Sequence, residues 1–228
     1  MAVSEIARVA VKPGINIINP ETPDGRILGS ILRGVTTLAG GPQKVFWGLE
    51  VLNPSMLWIL FDWESVEQQE DFKLSAPDAL KEFSKICLYS EFITNINLSP
   101  SSDVLCGPIT ELMMIHVSKN LSQSGKEEAS EKTIHITSEC FGNSQHVNKL
   151  AHGWMVQQNV PGQRLMMDAG GVFMVFISWA GYMKQKTFHE TPDYQETVKT
   201  IRTLKGIIGF QSQSVNFSST KRLEEQGQ

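Results

Sequence analysis

Five histidines, at positions 116, 135, 146, 152 and 189, are the side chains of this sequence best suited to moving a proton near neutral pH. His189 falls where the chain turns from one helical piece into the next. It is the first candidate for a general acid or base, although a helix-capping or surface histidine would occupy the same place. His116 lies in an alternating stretch, on the face that carries Leu112 and Met114. There it either points into a cavity with His189 or is a satisfied core histidine. His152 begins a strand and reads more simply as exposed, and His135 and His146 lie in polar, irregular sequence and take no role. No HxH, HxxxH or HExxH spacing occurs, so no metal site is expected. Cys87, Cys106 and Cys140 are lone thiols without CxxC spacing. The run GGPQK at 40–44 lacks the spacing of a phosphate loop, AGGV at 169–172 lacks the second half of a dinucleotide fingerprint, and no GxSxG elbow exists. Covalent hydrolysis and nucleotide binding are disfavoured, and no cofactor is expected.

Seven of the nine methionines, at 113, 114, 155, 166, 167, 174 and 183, fall in the second half of the chain. Thioethers are flexible and polarizable, so a wall built from them suits a large, irregular, apolar ligand. Met114, Met167 and Met174, with Trp154, Trp179 and Tyr182, are the expected substrate contacts; ordinary core filling is the alternative for any single Met.

These residues must be positioned by elements, and the elements recur. WGLEV at 47–51 followed by LWILFDWESVEQQEDF at 57–72 finds a partner in HGWMV at 152–156 followed by FMVFISWAGYMKQKTF at 173–188. Gly48 and Trp63 are 15 positions apart and Gly153 and Trp179 are 26, so the second copy is 11 residues longer there, an insertion suited to a lid. EIARVAVK at 5–12 aligns with ELMMIHVS at 111–118, and TNINLS at 94–99 with QSVNFS at 213–218. Each copy reads strand, helix, strand, strand, helix, strand. The first helix opens at Thr22 or Asp24, buries Ile27, Ile31, Val35 and Leu38, and stops at Gly40 and Gly41. Its counterpart at 127–141 is weaker, because Thr133, Ile134, Ile136 and Thr137 are poor helix formers. A βαββαβ unit leaves one face of its four-stranded sheet uncovered, and two such sheets in one chain cover each other. The expected fold class is α+β, with two tandem ferredoxin-like units, residues 1–100 and 109–220, forming an intramolecular pseudo-dimeric α+β barrel. A joint at 99–108 connects them and a polar tail follows at 221–228.

Twenty bases against 24 acids give a formal charge of −4, and the bases are scattered, which argues against a nucleic-acid surface. Apolar runs such as 56–61 and 172–177 are too short to span a membrane, and the N-terminus lacks the pattern of a secretory signal. The expectation is a cytoplasmic protein with a small-molecule partner, no nucleic acid and no membrane; a homodimer is left open.

FDWESVE at 61–67, ISWAGYM at 177–183 and FHETPDY at 188–194 carry a resemblance to the dimeric α+β barrel proteins named after the antibiotic-biosynthesis monooxygenases. It covers nearly the whole chain, once per repeat. Members commonly place a Trp at a strand end and a His about ten positions later, both directed at a pocket between helices and sheet. Trp179 and His189 fit that spacing; in the first copy the pair is Trp63 and Lys73, so the His is absent. The methionines, the insertion and the His in one half point to the second copy as bearing the working pocket, with His189, at the position the resemblance marks, and His116 as catalytic candidates and the first copy as its structural partner. The reading favours an enzyme that needs no cofactor and folds an apolar, polyketide-like intermediate for cyclisation, dehydration or isomerisation. The alternatives are a cofactor-free monooxygenase of a phenolic or anthrone-like compound, and a non-catalytic ligand-binding or stress-response protein.

Overall fold

Helix starts follow from local side-chain chemistry. In the computed structural model, which describes residues 2–76, 78, 81–156 and 169–222, Thr22, Ser65, Ser122 and Thr191 each accept a backbone N–H of the helix they precede. The strands β1 Val3–Val11, β2 Lys44–Leu49, β3 Met56–Trp63 and β4 Cys87–Ile96 alternate with the helices α1 Pro23–Thr37, α2 Val66–Ser75 and α3 Phe83–Ile86. The same order follows with β5 Ile109–Ser118, α4 Gln123–Gly142, β6 Val147–Trp154, β7 Ala169–Trp179, α5 Tyr182–His189, α6 Pro192–Thr203 and β8 Ile207–Val215. A last strand, β9, spans Ser218–Lys221. The fold is α+β with two antiparallel sheets, in the orders β4-β1-β3-β2-β9 and β6-β7-β5-β8. In each, the unit's first and third strands are central, and its second and fourth lie outside them.

The chain forms two compact units, one reaching Asn95 and joined again from Ser218 on, the other Ile96–Phe217. This boundary differs from the one expected at 99–108. Ser99 exchanges both backbone hydrogen bonds with His152 at 2.8 Å, so the connecting residues belong to the second unit. Gly153 permits this approach, since a Cβ there would lie 2.4 Å from the carbonyl oxygen of Asn97. The second unit also ends before residue 220, because β9 pairs with β2 from Lys44 to Trp47 and extends the first sheet.

In the first unit β1 is buried along its whole length. Val3, Ala7, Val9 and Val11 join Leu28, Ile31, Leu32 and Val35 of α1 in one core. The stripe of α1 lies one step round from the expected one: Leu28 and Leu32 complete it, while Leu38 caps the helix and is 43% exposed. In the second unit α4 runs for 20 residues despite its β-branched content. Thr133 and Thr137 are buried and return their hydroxyls to the carbonyls of Ala129 and Thr133 at 2.8 Å, which satisfies both groups inside the helix. Phe141 packs edge-on to Trp179, with ring centroids 5.8 Å apart, and against Phe188 and Tyr194.

Candidate functional site

Alternation along β5 sends Ile109, Met113 and Ile115 into the core shared with α4 and α6, and Glu111 goes with them. A carboxylate there is costly unless every lone pair is met. Glu111 is fully buried, and five side chains donate to it. Ser212 Oγ at 2.6 Å and Tyr194 OH at 2.9 Å reach Oε1. Trp179 Nε1 and Gln185 Nε2, each at 3.1 Å, and His189 Nε2 at 2.9 Å reach Oε2. Burial alone pushes this carboxyl up, but the hydrogen bond and charge of His189, with Ser212 and Gln185, outweigh it and hold the group below the ordinary carboxylate range. Burial, then the charge of Glu111, push the Tyr194 phenol up, so it stays protonated and donating.

His189 closes α5, and its side chain is 31% exposed. Its ring stacks on Tyr194, with centroids 4.0 Å apart, and meets Trp179 edge-on at 5.8 Å. The backbone carbonyl of His189 accepts from Gln195 Nε2 at 2.6 Å, which fixes the turn into α6. With Glu111 ionised, Nε2 carries the proton and Nδ1 is the basic nitrogen. A buried acceptor that sets the tautomer of a partly exposed imidazole is an arrangement for general acid and base chemistry. An open groove of about 1000 Å³ runs alongside, between α4 and α6, and its wall includes Thr187, Phe188 and Thr191.

Trp179 and His189 thus meet on one carboxylate. The other expected residues scatter. Met114 and Met174 face each other across β5 and β7 on the opposite side of the sheet, both buried. His116 shares that side, so the expectation that it enters one cavity with His189 fails on strand alternation. Its Nε2 is buried without a hydrogen-bond partner among the described residues, and burial pushes the imidazole down. Trp154 is half-buried against Phe173, with centroids 5.1 Å apart. Tyr182 is 43% exposed in the first turn of α5. Met167 and most of the inserted loop lie outside the described residues.

Glu111 itself was not among the expected site residues. Its signal was present in the alignment of EIARVAVK with ELMMIHVS, which puts an acid, Glu5 or Glu111, at the same place in the two strands. The first unit repeats the pairing: Glu5 lies opposite Phe61 in the ladder, as Glu111 lies opposite Ile177, and Lys73 Nζ is 2.7 Å from Glu5 Oε1. Lys73 therefore takes the place of His189.

No family model and no curated relative matches the sequence. Solved structures do. An anthrone oxidase-like protein superposes with a TM-score of 0.70 at 10% identity, covering 98% of this chain and 94% of its own. A proposed monooxygenase from Fusobacterium nucleatum subsp. nucleatum gives 0.63 at 9% identity over 97% and 94%, and one from Lactobacillus acidophilus NCFM gives 0.59 at 9% over 97% and 96%. The fold is theirs. At such identities the likeness fixes the path of the chain and leaves the chemistry to the residues described above.

Proposed function

We propose that this protein is an oxygenase that needs no cofactor and acts on an electron-rich phenol or anthrone-like compound, with His189 as its base. The observation that carries the proposal is the pairing of fully buried Glu111 with partly exposed His189. Nδ1 takes a proton from the substrate, and the ring that becomes cationic is stabilised by the carboxylate 2.9 Å from Nε2. The resulting anion gives one electron to dioxygen, the two radicals join in a C–O bond, and loss of water from the peroxide leaves a carbonyl. One oxygen atom stays in the product and the other leaves as water. The whole-chain likeness to an anthrone oxidase-like protein supports this reading over cyclisation or isomerisation, which the same base would serve. The shared strand order and the matched pairs Glu5–Lys73 and Glu111–His189 support descent of both units from one duplicated βαββαβ ancestor.

An oxygen electrode with anthrone and 1,8-dihydroxyanthrone tests the function. Uptake of one O₂ per molecule of substrate, above the spontaneous rate, is expected, falling on the order of 10² to 10⁴-fold in His189→Ala. Conversion of substrate without oxygen uptake would replace the oxygenase with an isomerase or cyclase, and activity unchanged in His189→Ala would remove His189 as the base.

A further inference from the structure

The first unit has no histidine at its strand-end Trp, yet it contains a space more enclosed than the groove beside His189. A cavity of about 400 Å³ lies between the sheet and the segment around α3, walled by Ala7, Val9, Ile59, Phe61, Phe83 and Ile93. A smaller void of about 80 Å³, lined by Val35, Trp63, Phe72 and Ala76, shares Glu5, Phe61 and Lys73 with it. The Glu5–Lys73 ion pair therefore borders both. Trp63 is 4% exposed, and its Nε1 is buried without a hydrogen-bond partner among the described residues. The matching Trp179 of the second unit spends the same N–H on Glu111. A buried indole N–H left unpaired is costly, so its place beside a void points to an acceptor that arrives from outside.

We infer that this cavity is a second small-molecule site, specific for an apolar ring system bearing one hydroxyl group, whose oxygen lies at Trp63, Lys73 and Glu5. The site is independent of His189. Its volume is within the range of ligand pockets and suits one or two fused rings. A hydroxyl oxygen has two lone pairs and accepts from both Trp63 and Lys73 while its proton goes to Glu5, so all three polar groups gain a hydrogen bond. A plain hydrocarbon leaves the Trp63 N–H unpaired, and a carboxylate meets the charge of Glu5, which is only 7% exposed. Leu88 and Tyr89, 58% and 59% exposed on β4, line the same cavity and give it an apolar mouth.

Calorimetric titration of the full chain with 1-naphthol, naphthalene and 1-naphthoate tests the site, and transfer of nuclear Overhauser effects from the bound ring to methyl groups locates it. The expected result is a naphthol site whose ring contacts the methyls of Val9 and Ile59, with naphthalene and naphthoate at least about tenfold weaker there. Trp63→Phe keeps the ring and removes the donor, and should weaken naphthol roughly tenfold while leaving naphthalene unchanged. Lys73→Met, at a half-exposed position, should also weaken naphthol. His189→Ala should leave the naphthol contacts with Val9 and Ile59 as they are, so loss of oxygen uptake with those contacts intact would separate this site from the proposed oxygenase centre. Naphthol contacts confined to methyls of the second unit, naphthoate binding tighter than naphthol, or Trp63→Phe without effect would each overturn the inference.

Discussion

At the residue scale the molecule turns on two buried acids that occupy the same register. Glu111 is held by five donors, and removing its charge should disturb His189 more than the fold. Glu111→Gln is nearly isosteric, but its amide cannot stabilise an imidazolium as a carboxylate does. Oxygen uptake should fall on the order of 10²-fold with the far-ultraviolet spectrum unchanged. Tyr194→Phe takes away one donor and keeps the stacking ring. It should lower stability by about 1–3 kcal/mol in denaturant titration and reduce turnover less than Glu111→Gln does. Equal losses in the two variants would mean that packing around His189, rather than the charge beneath it, governs activity.

At the scale of elements, helices in the second unit are tied to the site by aromatic packing, whereas β9 strengthens an edge far along the chain from its partner. Phe141 is fully buried near the end of α4 and touches the rings of Trp179, Phe188 and Tyr194. Phe141→Ala should therefore cost about 3–5 kcal/mol and loosen the seat of His189, seen as a larger amide exchange rate through α5. The pairing of β9 with β2 runs from Lys44 to Trp47, and Arg222 adds a bond from its backbone N–H to Gln43 at 2.8 Å. Deleting residues 218–228 should expose the outer edge of β2. Protection of its amides should drop while that of β5 and β7 holds; equal loss in both sheets would show that the units do not unfold separately.

At the scale of the whole molecule, acid should destabilise the protein in two steps. Burial pushes both His116 and His152 below their ordinary value of 6.5, so below that pH the unfolded chain takes up protons that the folded chain refuses, and stability declines. Glu111 has its folded value lowered from 4.5, so its contribution is present above that pH and is lost as pH falls through the folded value. Urea midpoints between pH 8 and 3 should show both declines, and His116→Gln should flatten the one that starts near neutrality. A midpoint independent of pH between 7 and 5 would count against buried neutral imidazoles. The α+β class, the order of elements in each unit, the split of the helix after each strand-end Trp and the pairing of Trp179 with His189 were all legible in the sequence, because alternation, capping residues and helical spacing are local properties of neighbouring side chains. Tertiary structure decided the rest. That Glu111 gathers donors from β7, β8, α5 and α6, that β9 joins the first sheet, and that Arg8 is buried against Glu50 at 2.7 Å depend on residues 42 to 177 positions apart meeting in space. The side of the sheet on which His116 lies followed from alternation; what surrounds it did not. Local pattern records which side chains point together, but only the folded chain determines whether a buried polar group finds its partners or a cavity is left beside one that has not.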